Sequence, residues 1–490
     1  MVHHVRGYLI LGFGLVLVIT TLPVAAQTPT PAPPPSWEAL QFPPLPAFQP
    51  PRPRTFRLRN GIPVYMLPDP TVPVVRLVGW MDVGEIHAPR PGIAGLTGTL
   101  LRTGGTRLHT PDELDALLDA RAIELEIQIG RTSGQITLAM LSEQMRTGLA
   151  ILGEVLTEPR WDPDRLEVAK RQEIAFLMRE NDDPEAIVAR EFQKIVFGAD
   201  HPYGRYPTPA DIRAITVDDI RTFYEQHIRP DRLIIGVWGR FNERDLRNEL
   251  RQYLGNWRRP RTERARPGLP VTRPGIYLVR KPDVTQTKIR FGYAVPPFNP
   301  KQPYARDIYA LQVANVIFGR GFASRLFVRI RTQMGLAYYA YSRYPVSFQH
   351  PGAFVIATAT QAQRTVQAIR AIQDELERIR TEGVTDAEVQ YAKNWLINSF
   401  IFEYETPANI VLNYLELAAA GLPEDYLEQF VPNVQAVTTD DVNRVIRQYW
   451  HPERMALLVV GTPEKFDSPL SVLGEVHEIP LHGMQSSGGP

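Results

Sequence analysis

Ile215-Thr216-Val217-Asp218-Asp219-Ile220 returns as Val437-Thr438-Thr439-Asp440-Asp441-Val442, each residue number higher by 222 (Ile215 to Val437). The offset holds at Pro230 and Pro452, at Arg232 and Arg454, and at Gly239 and Gly461. Between the last two marks each copy carries an apolar strand pattern, 233–238 and 455–460. Upstream, Ala169-Lys170 is answered by Ala392-Lys393. A period this long is no solenoid unit, so it reads as one domain duplicated in tandem. The spacing places the domains at 55–262 and 273–470, with a linker over 263–272 inside the Arg- and Pro-rich stretch 257–274. Residues 471–490 read as a loose tail.

The local pattern within the first copy is that of an α+β layer fold. Asn60-Gly61 between two apolar-alternating runs predicts a hairpin with both turn residues at positive φ. The next strand spans 72–83, and 93–103 has helical character. Thr110-Pro111-Asp112-Glu113 is a capping box with proline at the first helical position. Ile123, Leu125, Ile127 and Ile129 alternate with polar residues, the mark of a half-buried strand, and 135–140 pairs with it. An amphipathic helix follows over 143–156. Antiparallel or mixed sheets packed with helices, twice over, is the expected architecture.

Composition excludes several function classes. A net charge of +1 gives no electrostatic case for nucleic acid or an anionic membrane. With no cysteine, there is no disulfide, thiolate metal site or cysteine nucleophile. His3, His4 and Arg6 precede an apolar run over 7–22, and Pro23-Val24-Ala25-Ala26 supplies small residues at its exit. That is the three-part form of a secretory signal, cleaved after Ala26, and it predicts an exported protein, periplasmic or secreted. The competing reading is a retained anchor, for which the run is slightly short. No later stretch is apolar enough to span a bilayer. Eleven prolines between residues 28 and 53 make 27–54 a spacer.

Arg59-Asn60-Gly61-Ile62, Gly92-Ile93-Ala94-Gly95-Leu96, Gly104-Gly105-Thr106, His201-Pro202-Tyr203-Gly204 and Ser324-Arg325-Leu326-Phe327 complete the pattern. With the duplication, they make the chain resemble the insulinase/pitrilysin family of zinc peptidases, in its processing-peptidase branch. The resemblance covers 55–465 and implies two homologous domains forming half of a clam-shell chamber. Active members carry His-x-x-Glu-His on the helix after the Gly-x-Ala phrase. Two histidines one turn apart share a zinc ion, and the glutamate activates its water. Here the motif positions are Gly95, Leu96, Thr97, Gly98 and Thr99, so both histidines and the base are missing. No histidine pair in the mature chain has helical i, i+4 spacing. Glu173 falls at the family's third zinc ligand, either a relic or a solvated or salt-bridged glutamate. No metal is expected in this chain.

The second domain retains Ile330-Arg331-Thr332-Gln333-Met334-Gly335-Leu336-Ala337-Tyr338. The resemblance implies that Tyr338 donates to the tetrahedral oxyanion and that Arg331 orients the substrate carbonyl. A fixed donor in a dry cleft stabilises charge that appears only in the transition state. The alternative is that both brace the domain. A chain with the Arg and Tyr but without the zinc motif suits the role of partner to a zinc-bearing homologue, completing its active site on peptide substrates. A catalytically inactive scaffold and a peptide-binding protein are the competing functions.

Overall fold

The computed structural model describes residues 51–260, 266–299 and 306–481. The signal-like segment, most of the proline-rich spacer, part of the linker and the last tail residues fall outside these. The first half contains strands β1 (Arg54–Arg57), β2 (Pro63–Pro68), β3 (Val74–Met81), β4 (Glu124–Ile129), β5 (Gly134–Leu141) and β6 (Leu233–Gly239). Its helices are α1 (Ile93–Thr103), α2 (Pro111–Ala120), α3 (Met145–Thr157), α4 (Pro163–Arg179), α5 (Pro184–Phe197), α6 (Pro209–Arg213), α7 (Val217–His227) and α8 (Glu243–Leu254). The second half contains β7 (Gly275–Arg280), β8 (Gln286–Val295), β9 (Ala337–Arg343), β10 (Gly352–Gln361), β11 (Ala456–Gly461) and β12 (Val476–Glu478). Its helices are α9 (Asp307–Gly319), α10 (Thr365–Thr381), α11 (Asp386–Phe402), α12 (Pro407–Ala420), α13 (Phe430–Ala436) and α14 (Thr439–Tyr449).

The repeated phrase becomes the same local structure twice. Thr216 and Asp219 form a reciprocal capping box that starts α7, and Thr438 and Asp441 form the same box at the start of α14. A single 3-10 turn, Pro230–Arg232 or Pro452–Arg454, then leads into the buried strand β6 or β11. The Ala-Lys pair has a purpose that its sequence alone does not disclose. Lys170 Nζ donates to the carbonyl of Ile215 at 3.1 Å, and Lys393 Nζ to that of Val437 at 2.9 Å. Each lysine thereby ties α4 or α11 to the residue just before the capping threonine.

The sheets run β1-β2-β6-β3-β5-β4 and β12-β7-β11-β8-β10-β9. From the second place onward they correspond strand for strand: β2–β6 and β7–β11 are parallel, and the other pairs antiparallel. The edge strand breaks the match. β1 is the antiparallel arm of a hairpin with β2, whereas β12 returns from the C-terminal side and joins β7 in parallel. Within the expected loose tail, Val476–Glu478 therefore forms a strand, because β7 offers it an unpaired edge.

The first hairpin also corrects an expectation. Of its two turn residues only Gly61 has a positive φ, at 94°. Leu58 N–H bonds the Ile62 carbonyl and Gly61 N–H bonds the Leu58 carbonyl, so the loop is longer than a two-residue turn and needs one left-handed residue.

Each sheet has its own core on one face. The other face is covered by a helix from the opposite half. Ile187, Val188, Phe192 and Val196 of α5 pack against Val279, Leu458 and Val460 of the second sheet. Val411 and Leu415 of α12 pack against Val78 and Ile234 of the first. Each such side chain contributes about 1.5–3 kcal/mol on burial. Gly236 permits the second contact, since a Cβ there would stand 2.3 Å from the Val411 side chain. The two halves thus complete one another. Among the described residues no helix is long and apolar enough to cross a membrane.

Candidate functional site

Helix α1 begins at Gly92, whose φ of 95° turns the chain and which has no side chain to cap the helix. The cap comes from Glu85 instead. Its carboxylate accepts the N–H of Gly92 at 3.2 Å and of Gly95 at 2.9 Å. Arg205 holds the intervening loop by donating to the carbonyls of Glu85, Ala88 and Pro89. Glu85 escaped the sequence reading because it lies seven residues before the helix it caps.

These residues form one wall of a cleft of about 540 Å³. Gly95 and Thr99 lie on its floor, Ile127 to Arg131 on one side, and Glu173 and Phe176 of α4 on the other. All the positions expected to hold degenerate or relic zinc ligands, Gly98 apart, therefore do come together. Gly98 is turned under the helix: a Cβ there would stand 3.0 Å from the Ile127 carbonyl and 3.1 Å from the Ile129 nitrogen. Its lack of a side chain lets α1 lie close on β4.

The cleft is charged but has no imidazole. Burial raises the Glu85 carboxyl to about 7, against the N–H groups of Gly95 and Gly92 and the charge of Arg205, which pull it down. Glu173 is likewise raised, first by burial and then by the negative charge of Glu180. It is half-buried on the cleft lining and is in no ion pair among the described residues. Burial lowers Arg131 to about 10. The Thr99 hydroxyl donates to the Gly95 carbonyl at 3.3 Å. Two carboxylates and no nitrogen ligand do not fit zinc. Among the described residues no group of three or more His, Asp or Glu is placed to hold a metal.

The histidines include pairs that spacing could not reveal. His87 and His227 have ring centroids 5.5 Å apart, and His350 meets the Tyr203 hydroxyl at 3.0 Å. They are not metal ligands in waiting. His87 Nδ1 accepts the Gly84 N–H, and His227 faces Arg232. Burial lowers both His227 and His350 to about 4.

Arg331 and Tyr338 are also brought together, by a route other than a continuous helix. Arg331 lies in the π-helical turn Phe327–Gln333, Gly335 reverses the chain with φ 60°, and Tyr338 stands on β9. The Arg331 guanidinium carbon is 4.7 Å from the Tyr338 ring centroid and 4.8 Å from that of Phe327. Tyr338 is 75% exposed. Neither its hydroxyl nor the Arg331 guanidinium has a hydrogen-bond partner among the described residues. By contrast Arg325, just before this turn, is paired with Glu388, and Arg329, on it, with Glu375.

Comparison with known proteins agrees with this geometry. Residues 214–396, which cross from the first half into the second, match the family described as the peptidase M16 inactive domain. An uncharacterized zinc protease of Mycobacterium bovis is 25% identical over 403 residues, covering 81% of this chain and 90% of that one. The non-peptidase homolog YmxG of Helicobacter pylori is 24% identical over 382 residues, covering 76% and 85%. The crystal structure of a peptidase M16 inactive domain from Pseudomonas fluorescens superposes with a TM-score of 0.74 at 22% identity, over 88% of this chain and 99% of that one.

Proposed function

Because this chain belongs to the insulinase/pitrilysin (M16) family and lacks that family's zinc motif, we propose that it is the zinc-free subunit of an exported, processing-peptidase-like heterodimer. In this reading it lends Arg331 and Tyr338 to the active site of a zinc-bearing homologue while a peptide is hydrolysed, and it forms half of the enclosing chamber. One observation carries the reading. Arg331 and Tyr338 are held against each other, with every polar atom at their tips left unengaged, although the nearby Arg325 and Arg329 are paired. A bracing role would spend those donors within the domain; a role toward substrate keeps them for it. A tyrosine hydroxyl fixed by stacking reaches an oxyanion without reorganising, which is where such a donor has its largest effect. The metal chemistry belongs to the partner.

The test is to purify the tagged chain from the exported fraction of its host, then assay the eluate for co-purifying chains, zinc and cleavage of a quenched peptide library. An equimolar partner carrying His-x-x-Glu-His, with chelator-sensitive cleavage, is the expected result. A solitary, metal-free, inert protein would overturn it. That outcome would favour the reading of a peptide-holding or scaffold protein, which the open cleft and the 58% exposed Phe176 make chemically reasonable.

A further inference from the structure

A second arginine in the same region shares the character of Arg331. The Arg320 guanidinium lies 4.8 Å from the centre of the Trp395 ring and has no hydrogen-bond acceptor or ion-pair partner among the described residues. Two residues on, Phe322 is 79% exposed and meets Phe327 edge-to-face at 5.1 Å. Trp395–Arg320 and Phe322–Phe327–Arg331–Tyr338 therefore form neighbouring stacks on one stretch of chain, with two large rings bare to solvent. A monomer seldom leaves such a patch without a use.

The chemistry of a stacked guanidinium narrows what that use is. Aromatic rings lie against the Arg331 guanidinium at 4.7 and 4.8 Å and against that of Arg320 at 4.8 Å, and they leave the N–H donors of both without an acceptor among the described residues. A planar fork of donors beside apolar surface is the complement of a carboxylate with a hydrophobic neighbour. A neutral carbonyl would satisfy one donor only; a carboxylate takes two and brings the opposite charge. The unmatched charge is again the deciding contrast, since Arg325 and Arg329 close by already have their carboxylates.

We propose that this surface is a receptor for a peptide carboxylate: Arg331 grips both oxygens, the Phe322 and Tyr338 rings cover the adjoining apolar side chain, and Arg320 adds a second, weaker contact. It goes beyond the catalytic reading of Arg331 and Tyr338, because it requires no zinc-bearing partner and no hydroxyl on residue 338. The carboxylate comes either from a peptide's C-terminus or from an aspartate or glutamate side chain.

The experiment uses the full chain alone and follows fluorescence anisotropy of a labelled oligo-alanine peptide ending in phenylalanine. The peptide is offered as the free acid, as the C-terminal amide, and as the amide carrying one glutamate or one glutamine. We expect at least one carboxylate-bearing form to bind about tenfold or more tightly than its neutral counterpart, since charged hydrogen bonds are worth roughly twice neutral ones. Selectivity for the free acid assigns a C-terminal receptor; selectivity for glutamate assigns a side-chain receptor. Arg331→Gln removes the preference and Arg331→Lys retains only a fraction of it, with unchanged thermal unfolding as the control for folding. Arg320→Gln weakens it less. Tyr338→Phe keeps it, because the ring that holds the guanidinium remains, whereas the same change disables an assembled peptidase under the catalytic reading. Equal binding of acid and neutral forms, or an Arg331→Gln protein that discriminates like wild type, would overturn the proposal.

Discussion

The two halves share a sheet order, a capping box and a lysine tie, yet their corresponding inner helices are treated in opposite ways. Helix α1 leaves Gly95 and Thr99 facing a cleft, and its N-terminus rests on a buried carboxylate. Helix α9 is mostly apolar and buried at every position except Gln312, and its buried Asp307 and Asn315 have partners in Arg444, Tyr449 and Ser342. The second half's exposed pair, Arg331 and Tyr338, stands instead on the turn and strand that follow α9. The cleft beside α1 holds Glu85, Arg131 and Arg205 in defined contacts.

The strongest way to break this comparison is to give the hollow its ligands back. A Cβ on Gly95 would meet nothing closer than Glu85 Oε1 at 3.7 Å, and Thr99 already has one. Gly95→His with Thr99→His, beside Glu173, should confer zinc binding in the micromolar range or tighter, about 8 kcal/mol. Calorimetry checks this, and Glu173→Gln should abolish the gain. Hydrolysis should not accompany it, because the base position is blocked.

That block is the next prediction. Gly98→Glu puts a side chain where the Ile127 carbonyl and Ile129 already stand, and it should cost about 3 kcal/mol or more through overpacking and a buried charge. Urea unfolding measures it; an unchanged midpoint would mean that α1 and β4 part easily. A smaller effect compares the two lysines. Lys170 is buried, with a side chain 10% exposed, so Lys170→Met should destabilise by about 2 kcal/mol. Lys393 is half-buried, and Lys393→Met should cost less, about 1 kcal/mol. Equal costs would weaken the view that the first half is the more tightly closed around its tie.

The smallest effect is on pH dependence. The folded state raises Glu85 to about 7, above its unfolded value, so its contribution is full at low pH and is lost as pH rises through 7. The stability of wild type relative to Glu85→Gln should therefore fall between pH 5 and 8 in thermal scans. His227 and His350 act in the opposite direction. Lowered to about 4 by burial, they contribute fully above about pH 6.5 and lose that contribution as pH falls toward 4. His350→Gln should flatten the acid limb.

How much of this was legible in the sequence follows from which interactions are local. Capping boxes and alternation are local patterns, and with the 222-residue echo they placed the repeated elements; the Gly95, Thr99 and Glu173 positions came from the resemblance to the insulinase/pitrilysin family. What stayed hidden depends on distant partners. That α5 and α12 each cover the other half's sheet depends on burial against strands far along the chain. Glu85 as cap to α1, and β12 as an edge strand, need a loop or tail to return in three dimensions. The Arg331–Tyr338 stack needed the π-helical turn and the Gly335 reversal, neither of which has a periodic signature.

In the proposed function the second half supplies an oxyanion donor to a partner's metal site. It is tested most directly by reconstituting this chain with its zinc-bearing homologue and measuring peptide cleavage with wild type and with Tyr338→Phe, after confirming equal assembly by sedimentation. The account predicts that kcat falls by about a hundredfold or more while the complex stays intact, the usual cost of one oxyanion donor. Cleavage at the wild-type rate by the Tyr338→Phe complex would contradict it and leave Arg331 and Tyr338 as a binding surface without a catalytic part.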